Sequence, residues 1–138
     1  MDSMNPNRIL IVDDNFVTRK MLARLLEPYG ICDVAENGQV AQEAFQLALY
    51  DRQPYRLVCL DVRMPGLDGT EVLEKLRAME QKHGISLGVN SCRILMVTGV
   101  DDRKTVFESF RKNCDGYLIK PVGREQLVEQ LKTLGLLE

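Results

Sequence analysis

Asp13-Asp14, Asp61, Thr98 and Lys120 can do chemistry together only if they meet, and each stands where a short apolar run stops. The runs are Ile9-Leu10-Ile11-Val12, Leu57-Val58-Cys59-Leu60, Ile94-Leu95-Met96-Val97 and Tyr117-Leu118-Ile119. Three carboxylates a few ångströms apart repel one another and push at least one pKa up unless a cation relieves them. An all-oxygen donor set with positions left for water suits Mg²⁺, which is usually held by one or two carboxylates plus a phosphate. Lys120 adds a point charge, a common phosphate partner. Thr98 offers a hydroxyl to an oxyanion, with Gly99 leaving space beside it. A carboxylate held near Mg²⁺ and a lysine can attack phosphorus and form an aspartyl phosphate, with the metal neutralising the transferring group. The chain contains neither Gly-x-x-x-x-Gly-Lys-Ser/Thr nor Gly-x-Gly-x-x-Gly, so it shows no evident means of binding ATP.

These residues converge only if the runs are neighbouring strands. Continuous apolar runs of this length between helical patterns read as strands of a parallel sheet covered on both faces. In such sheets ligands bind outside the carboxyl ends of the strands. Strand one is Arg8–Val12, and the helix after it opens near Asn15 with Val17, Met21, Leu22 and Leu25 on its inner face. It ends before Pro28 and Gly30. Strand two, Ile31–Ala35, is closed by the turn Glu36-Asn37-Gly38, and helix two turns Ala41, Ala44, Phe45 and Ala48 inward. After Asp61, the loop Pro65–Gly69 leads to helix three, with Val72, Leu76 and Met79 inward. Asp101 or Asp102 can cap helix four, where Val106 and Phe110 pack. Pro121 breaks the pattern after Lys120, and helix five carries Leu127, Val128, Leu131 and Leu134. Five alternations of strand and helix imply right-handed crossovers and a doubly wound α/β fold with a five-stranded parallel sheet. Gln81–Cys92, polar and Gly-containing, fits neither pattern.

At 138 residues the chain is expected to form one domain, 1–138, with no second domain after helix five. A net charge of −2 with both signs mixed along the chain leaves no basic footprint for nucleic acid and no polybasic patch for a membrane. No apolar stretch approaches the roughly 20 residues that span a bilayer, and the first residues do not resemble a signal peptide. Cys32, Cys59, Cys92 and Cys114 lack metal-type spacing and read as free thiols in a reducing cytosol, which places the chain in the cytoplasm. The lone His83 reads as a loop residue, and Arg19, Lys20 and Arg24 as a solvated helix face.

Ile11-Val12-Asp13-Asp14-Asn15, Leu60-Asp61-Val62-Arg63-Met64-Pro65-Gly66-Leu67-Asp68-Gly69, Val97-Thr98-Gly99 and Lys120-Pro121 together resemble the receiver domain of two-component response regulators, of the single-domain chemotaxis-regulator kind. The resemblance covers roughly residues 7–135. Four motifs in order, each at a strand end, make it specific. It implies a flavodoxin-like three-layer sandwich with strand order 2-1-3-4-5. It also implies that Asp61 accepts a phosphoryl group, that Asp14, Asp61 and the backbone carbonyl of Arg63 ligate Mg²⁺ directly, and that Asp13 acts through water. Lys120 would pair with the phosphoryl oxygens, Thr98 would swing in to bond one of them, and Tyr117 would be the aromatic switch behind it. The Lys120–Pro121 peptide would be cis. Arg63 and Val100 fall at the positions that tune acyl-phosphate lifetime in this family. The Asp61–Thr98 interval is longer than in typical members, with the surplus in Gln81–Cys92.

The expected partners are a sensor histidine kinase or histidine phosphotransfer protein as donor, and an effector protein on the face of helix four, strand five and helix five. Homodimerisation on phosphorylation is left open, and no nucleic-acid or membrane contact is expected. The chain would be no enzyme beyond self-phosphorylation from small donors and self-dephosphorylation. An aspartyl-phosphate hydrolase of the haloacid-dehalogenase type is the enzymatic alternative, but it wants an acid where Arg63 stands. A degenerate receiver that is never phosphorylated is the other alternative, and such proteins usually lose an acid or the lysine that this chain keeps.

Overall fold

The structure, a computed structural model, describes residues 7–88, 90–99 and 103–137. Val100 and the expected helix-four caps Asp101 and Asp102 lie outside the described residues, as do the side chains of Arg103 and Val106. The elements run β1 (Asn7–Val12), α1 (Phe16–Leu26), β2 (Gly30–Ala35), α2 (Gly38–Tyr50), β3 (Leu57–Asp61), α3 (Gly69–Lys82), β4 (Arg93–Thr98), α4 (Arg103–Arg111), β5 (Gly116–Ile119) and α5 (Arg124–Thr133). All strand pairings are parallel, in the order β2-β1-β3-β4-β5. Fold class and strand order match the sequence expectation.

The apolar runs are buried on both sides because successive side chains of a strand point to opposite faces. Leu10 and Val12 of β1, Val58 and Leu60 of β3, and Ile94 and Met96 of β4 join one core with Phe45 of α2 and Leu73 and Leu76 of α3. Ile9 and Ile11, Leu57 and Cys59, and Leu95 and Val97 join the other, under Leu22 and Leu26 of α1 and Leu127 and Leu131 of α5. With both faces covered, only the strand ends remain for polar work.

Helix starts follow short polar side chains. The Asn15 amide oxygen accepts from Thr18 N at 3.0 Å and that of Asn37 from Val40 N at 2.8 Å, while Asp68 and Glu71 form a reciprocal capping box. Gly69 is required for another reason. A Cβ there would collide with the carbonyl oxygen of Asp61, so the start of α3 can lie against the Asp61 backbone only without a side chain.

Two helix faces differ from expectation. Val17 and Met21 are 61% and 50% exposed, and α1 buries Leu22 and Leu26 instead. At about 100° per residue, Val17 and Met21 lie roughly 140° and 100° around the helix from Leu22. Apolar character alone does not say which side of so apolar a helix faces the sheet. Among the described side chains of α4 the buried one is Ser109, with its hydroxyl donating to Thr105 O at 2.8 Å. Phe110 is therefore turned to the margin, 44% exposed, where it meets Tyr117 edge-on with ring centroids 6.2 Å apart.

The surplus between α3 and β4 is shorter as a loop than its sequence suggested, because α3 continues to Lys82. Glu80, buried, accepts from Cys92 N at 2.6 Å and from Arg77 at 2.8 Å. Arg77 also donates to Cys92 O at 2.8 Å, to Asp115 at 2.7 Å and to Asn113 O at 2.9 Å. This group ties the C-terminal part of α3 to the starts of β4 and β5. All four cysteines are free, and His83 stacks edge-on to Tyr50.

Candidate functional site

The carboxyl ends of β1, β3, β4 and β5 come together at one edge of the sheet. Asp13 and Asp14 follow β1, Asp61 and Thr98 are the last residues of β3 and β4, and Lys120 follows β5. One oxygen from each of Asp13, Asp14 and Asp61 lies within 4.8 Å of the others. Lys120 Nζ is 3.4 Å from Asp61 Oδ1 and 3.3 Å from Asp13 Oδ2. An open cavity of about 390 Å³ reaches Asp14, Asp61, Thr98 and Lys120 from solvent. The structure thus brings these five residues together.

Their environments differ. Asp13 and Asp61 are buried, whereas Asp14 is exposed at the mouth. Asp13 Oδ1 accepts from Asn15 N at 2.8 Å, while Asp13 Oδ2 is buried and lacks an aligned hydrogen-bond donor despite the nearby ammonium. Asp61 Oδ1 accepts from Arg63 N at 3.2 Å. Burial and then the Asp13 charge push the Asp61 carboxyl up to about 6, against the opposing pull of Lys120 and the Arg63 N–H. The two aspartates raise Lys120, overcoming its desolvation, so its ammonium is retained. Three carboxylates against one ammonium leave a local charge of −2 when all are ionised.

The donor set fits a hard divalent cation. It is all oxygen, it carries the matching charge deficit, and it presents a buried carboxylate oxygen with no donor satisfying it. Arg63 is exposed, with its backbone N–H turned to Asp61.

Thr98 is buried and its hydroxyl donates to Gly99 O at 3.2 Å. Its strand partner on β5 is Ile119, and Tyr117 pairs with Met96 two residues back. The Tyr117 ring is 37% exposed and turned away from the core against Phe110. The Lys120–Pro121 peptide is cis, as the resemblance implied.

Residues 9–132 match the response regulator receiver domain family. The chain belongs to this family. It is 35% identical over 136 residues to the transcriptional regulatory protein ResD of Bacillus subtilis, covering 97% of this chain and 50% of that protein. It is 37% identical over 128 residues to the positive alginate biosynthesis regulatory protein of Pseudomonas aeruginosa, covering 90% and 45%. The chain thus spans about half the length of these relatives. Among solved structures, Vibrio cholerae chemotaxis protein CheY4 superposes with a TM-score of 0.75 at 25% identity, covering 94% of this chain and 98% of that one. Receiver domains are phosphoacceptors that use Mg²⁺, and the aspartate cluster is present here. Among the described residues no helix is long and apolar enough to cross a membrane.

Two residues that bond the backbone beside the site were not found from sequence. Arg19, read as part of a solvated face, instead donates from Nη1 to the carbonyl of Asp13 at 2.8 Å. Lys20 and Arg24 are exposed as expected. Gln126 of α5 accepts from Ile119 N and donates to Ile119 O at 3.1 Å. Because Ile119 is on an edge strand, its outward N–H and C=O have no ladder partner, and Gln126 supplies one next to Lys120. Neither has a motif. A polar residue at helical spacing looks the same whether it serves solvent or a loop.

Proposed function

We propose that this receiver domain takes a phosphoryl group on Asp61 from a histidine kinase or a histidine phosphotransfer protein. The observation that carries this is the single buried, ionisable carboxylate at the end of the central strand that also lies 3.4 Å from Lys120 Nζ and opens to solvent. A carboxylate oxygen of Asp61 attacks phosphorus as the P–N bond of the donor phosphoimidazole breaks, and that electron pair returns to the imidazole nitrogen. With a carboxyl raised to about 6, Asp61 is still ionised near pH 7 and retains nucleophilic oxygen. Asp13, Asp14, Asp61 and the Arg63 carbonyl would hold Mg²⁺, which neutralises charge on the transferring group. Lys120 stays charged and pairs with phosphoryl oxygens once they arrive.

Thr98 and Tyr117 form the relay in this reading. A phosphoryl oxygen gives the Thr98 hydroxyl a stronger acceptor than Gly99 O, drawing the Thr98 side chain inward and opening room for the Tyr117 ring. Output would pass through α4, β5 and α5 to an effector protein, with residues 1–138 acting as one receiver unit in the cytoplasm. Self-phosphorylation from small donors follows from the same geometry, since donor protein residues are not needed to form the nucleophile.

Incubation with acetyl phosphate and Mg²⁺, read by intact mass, tests the assignment. One phosphoryl adduct is expected on the wild type, lost with EDTA and with Asp61→Asn. Full labelling of that variant overturns it.

A further inference from the structure

Asp14 is exposed, so no wall of side chains sets where its carboxylate points. Its direction is inherited from the peptide that joins it to Asp13. Among the described residues, three bonds surround that peptide. Asp13 N donates to Ala35 O at 3.1 Å, Asn15 N donates back to Asp13 Oδ1 at 2.8 Å, and Arg19 Nη1 donates to Asp13 O at 2.8 Å. Only the last comes from a side chain outside the turn, and only it holds the carbonyl of the Asp13–Asp14 peptide itself. Arg19 is half-buried, its guanidinium 5.7 Å from the Phe16 ring centroid, so the donor is steadied from the solvent side. A charged donor to a carbonyl is stronger than a neutral one and resists rotation of the peptide plane.

We infer that Arg19 is a positioning residue for the divalent-cation site, fixing the Asp13–Asp14 peptide so that both carboxylates face Asp61. The inference rests on the metal site proposed above. It makes a prediction of opposite sign from simple electrostatics. Arg19 is a cation near a cluster of local charge −2, so as a mere charge it would oppose Mg²⁺, and its removal would tighten binding. As a positioning residue its removal loosens the ligand pair and weakens binding. Loss of a residue that orients a metal ligand typically costs 10- to 100-fold in affinity, and one bond of three around this peptide places Arg19 near the lower figure, about 10-fold.

Mg²⁺ titration of the metal-free protein by calorimetry tests this with wild type, Arg19→Ala, Arg19→Lys and Asp14→Ala. Arg19→Ala is expected to bind Mg²⁺ about 10-fold more weakly, and Arg19→Lys, which keeps a charged donor, to recover much of the loss. In metal-free amide NMR spectra of Arg19→Ala, Asp14 and Asn15 should shift while Leu127 and Leu131 of α5 stay in place, which separates positioning from general loss of fold. If Arg19→Ala does not fold, the decision passes to Arg19→Lys and Arg19→Gln. Mg²⁺ binding in the Ala variant, or in Gln where Ala fails, as tight as wild type or tighter overturns the inference. Equal Mg²⁺ binding by wild type and Asp14→Ala, or none by wild type, overturns the metal site and the inference with it.

Discussion

Replacing Asp61 with Asn is expected to make the metal-free protein more stable at neutral pH while abolishing the proposed function. An ordinary aspartate near 3.8 stands at about 6 here, raised by burial and by Asp13. The folded state therefore binds this proton more tightly than the unfolded chain does. The stability linked to it is complete below about 3.8 and is lost as pH rises through about 6. Two pH units correspond to at most about 3 kcal/mol at 1.36 kcal/mol per unit, and about 1–3 kcal/mol is the range to look for. The shift already includes the opposing attraction of Lys120, so no separate allowance is needed for that lost pair. Asn matches the shape of the protonated acid. Urea denaturation in EDTA at pH 4 should find the two proteins within about 0.5 kcal/mol, with the gap opening in favour of Asp61→Asn by pH 7.5. For a chain of this size the gap corresponds to roughly 3–10 °C in Tm. Mg²⁺ should then raise the wild type and close or reverse the gap, since a ligand that binds only the folded state stabilises by mass action. A variant less stable than wild type at pH 7.5, or a gap that does not change with pH, refutes the claim that an ionised Asp61, buried beside Asp13, strains the fold.

Two further outcomes are expected. Arg77→Ala leaves Glu80 and Asp115 without their shared guanidinium in a largely buried setting, so urea denaturation should show a loss of about 3–5 kcal/mol, while the protein that remains folded still accepts phosphate from acetyl phosphate. In the beryllofluoride complex, a phosphoryl mimic, backbone NMR signals of the described residues in 98–124 should move well beyond those of α2, and Thr98→Val should abolish the changes at Tyr117; shifts spread equally to α2 would reject the relay.

The sheet and the acid cluster were legible for one reason. A parallel strand buried on both faces has nowhere to put a polar residue except its end, so Val12-Asp13, Leu60-Asp61, Val97-Thr98 and Ile119-Lys120 each announce an edge, and parallel pairing puts the edges together. Helix faces obey a weaker rule. Val17, Met21, Leu25 and Leu22 form an apolar arc of about 140° on α1, and the choice of its Leu22 edge with Leu26 for the core depends on how the helix docks, which is tertiary. Glu80 was unreadable for a related reason, because a charged residue late in α3 looks solvated until Arg77 and Cys92 N are placed beside it.

Arg19 and Gln126 were missed through a common physical cause, and it bears on how the site works. Each bonds backbone, Arg19 the Asp13 carbonyl and Gln126 both polar groups of Ile119. Backbone partners are the same at every residue, so such a bond leaves no trace in the types of the residues it serves. Yet the bonds of these two residues lie one residue from Asp14 and from Lys120, the outer side chains of the acid and lysine cluster. Asp13 and Asp61 are fixed by burial in the sheet edge. Asp14 and Lys120 have to be steadied through the chain that carries them. A site built this way keeps its outer residues open to an incoming phosphoryl donor while holding their backbone in place, and that is the arrangement a receiver needs to be both accessible and preorganised.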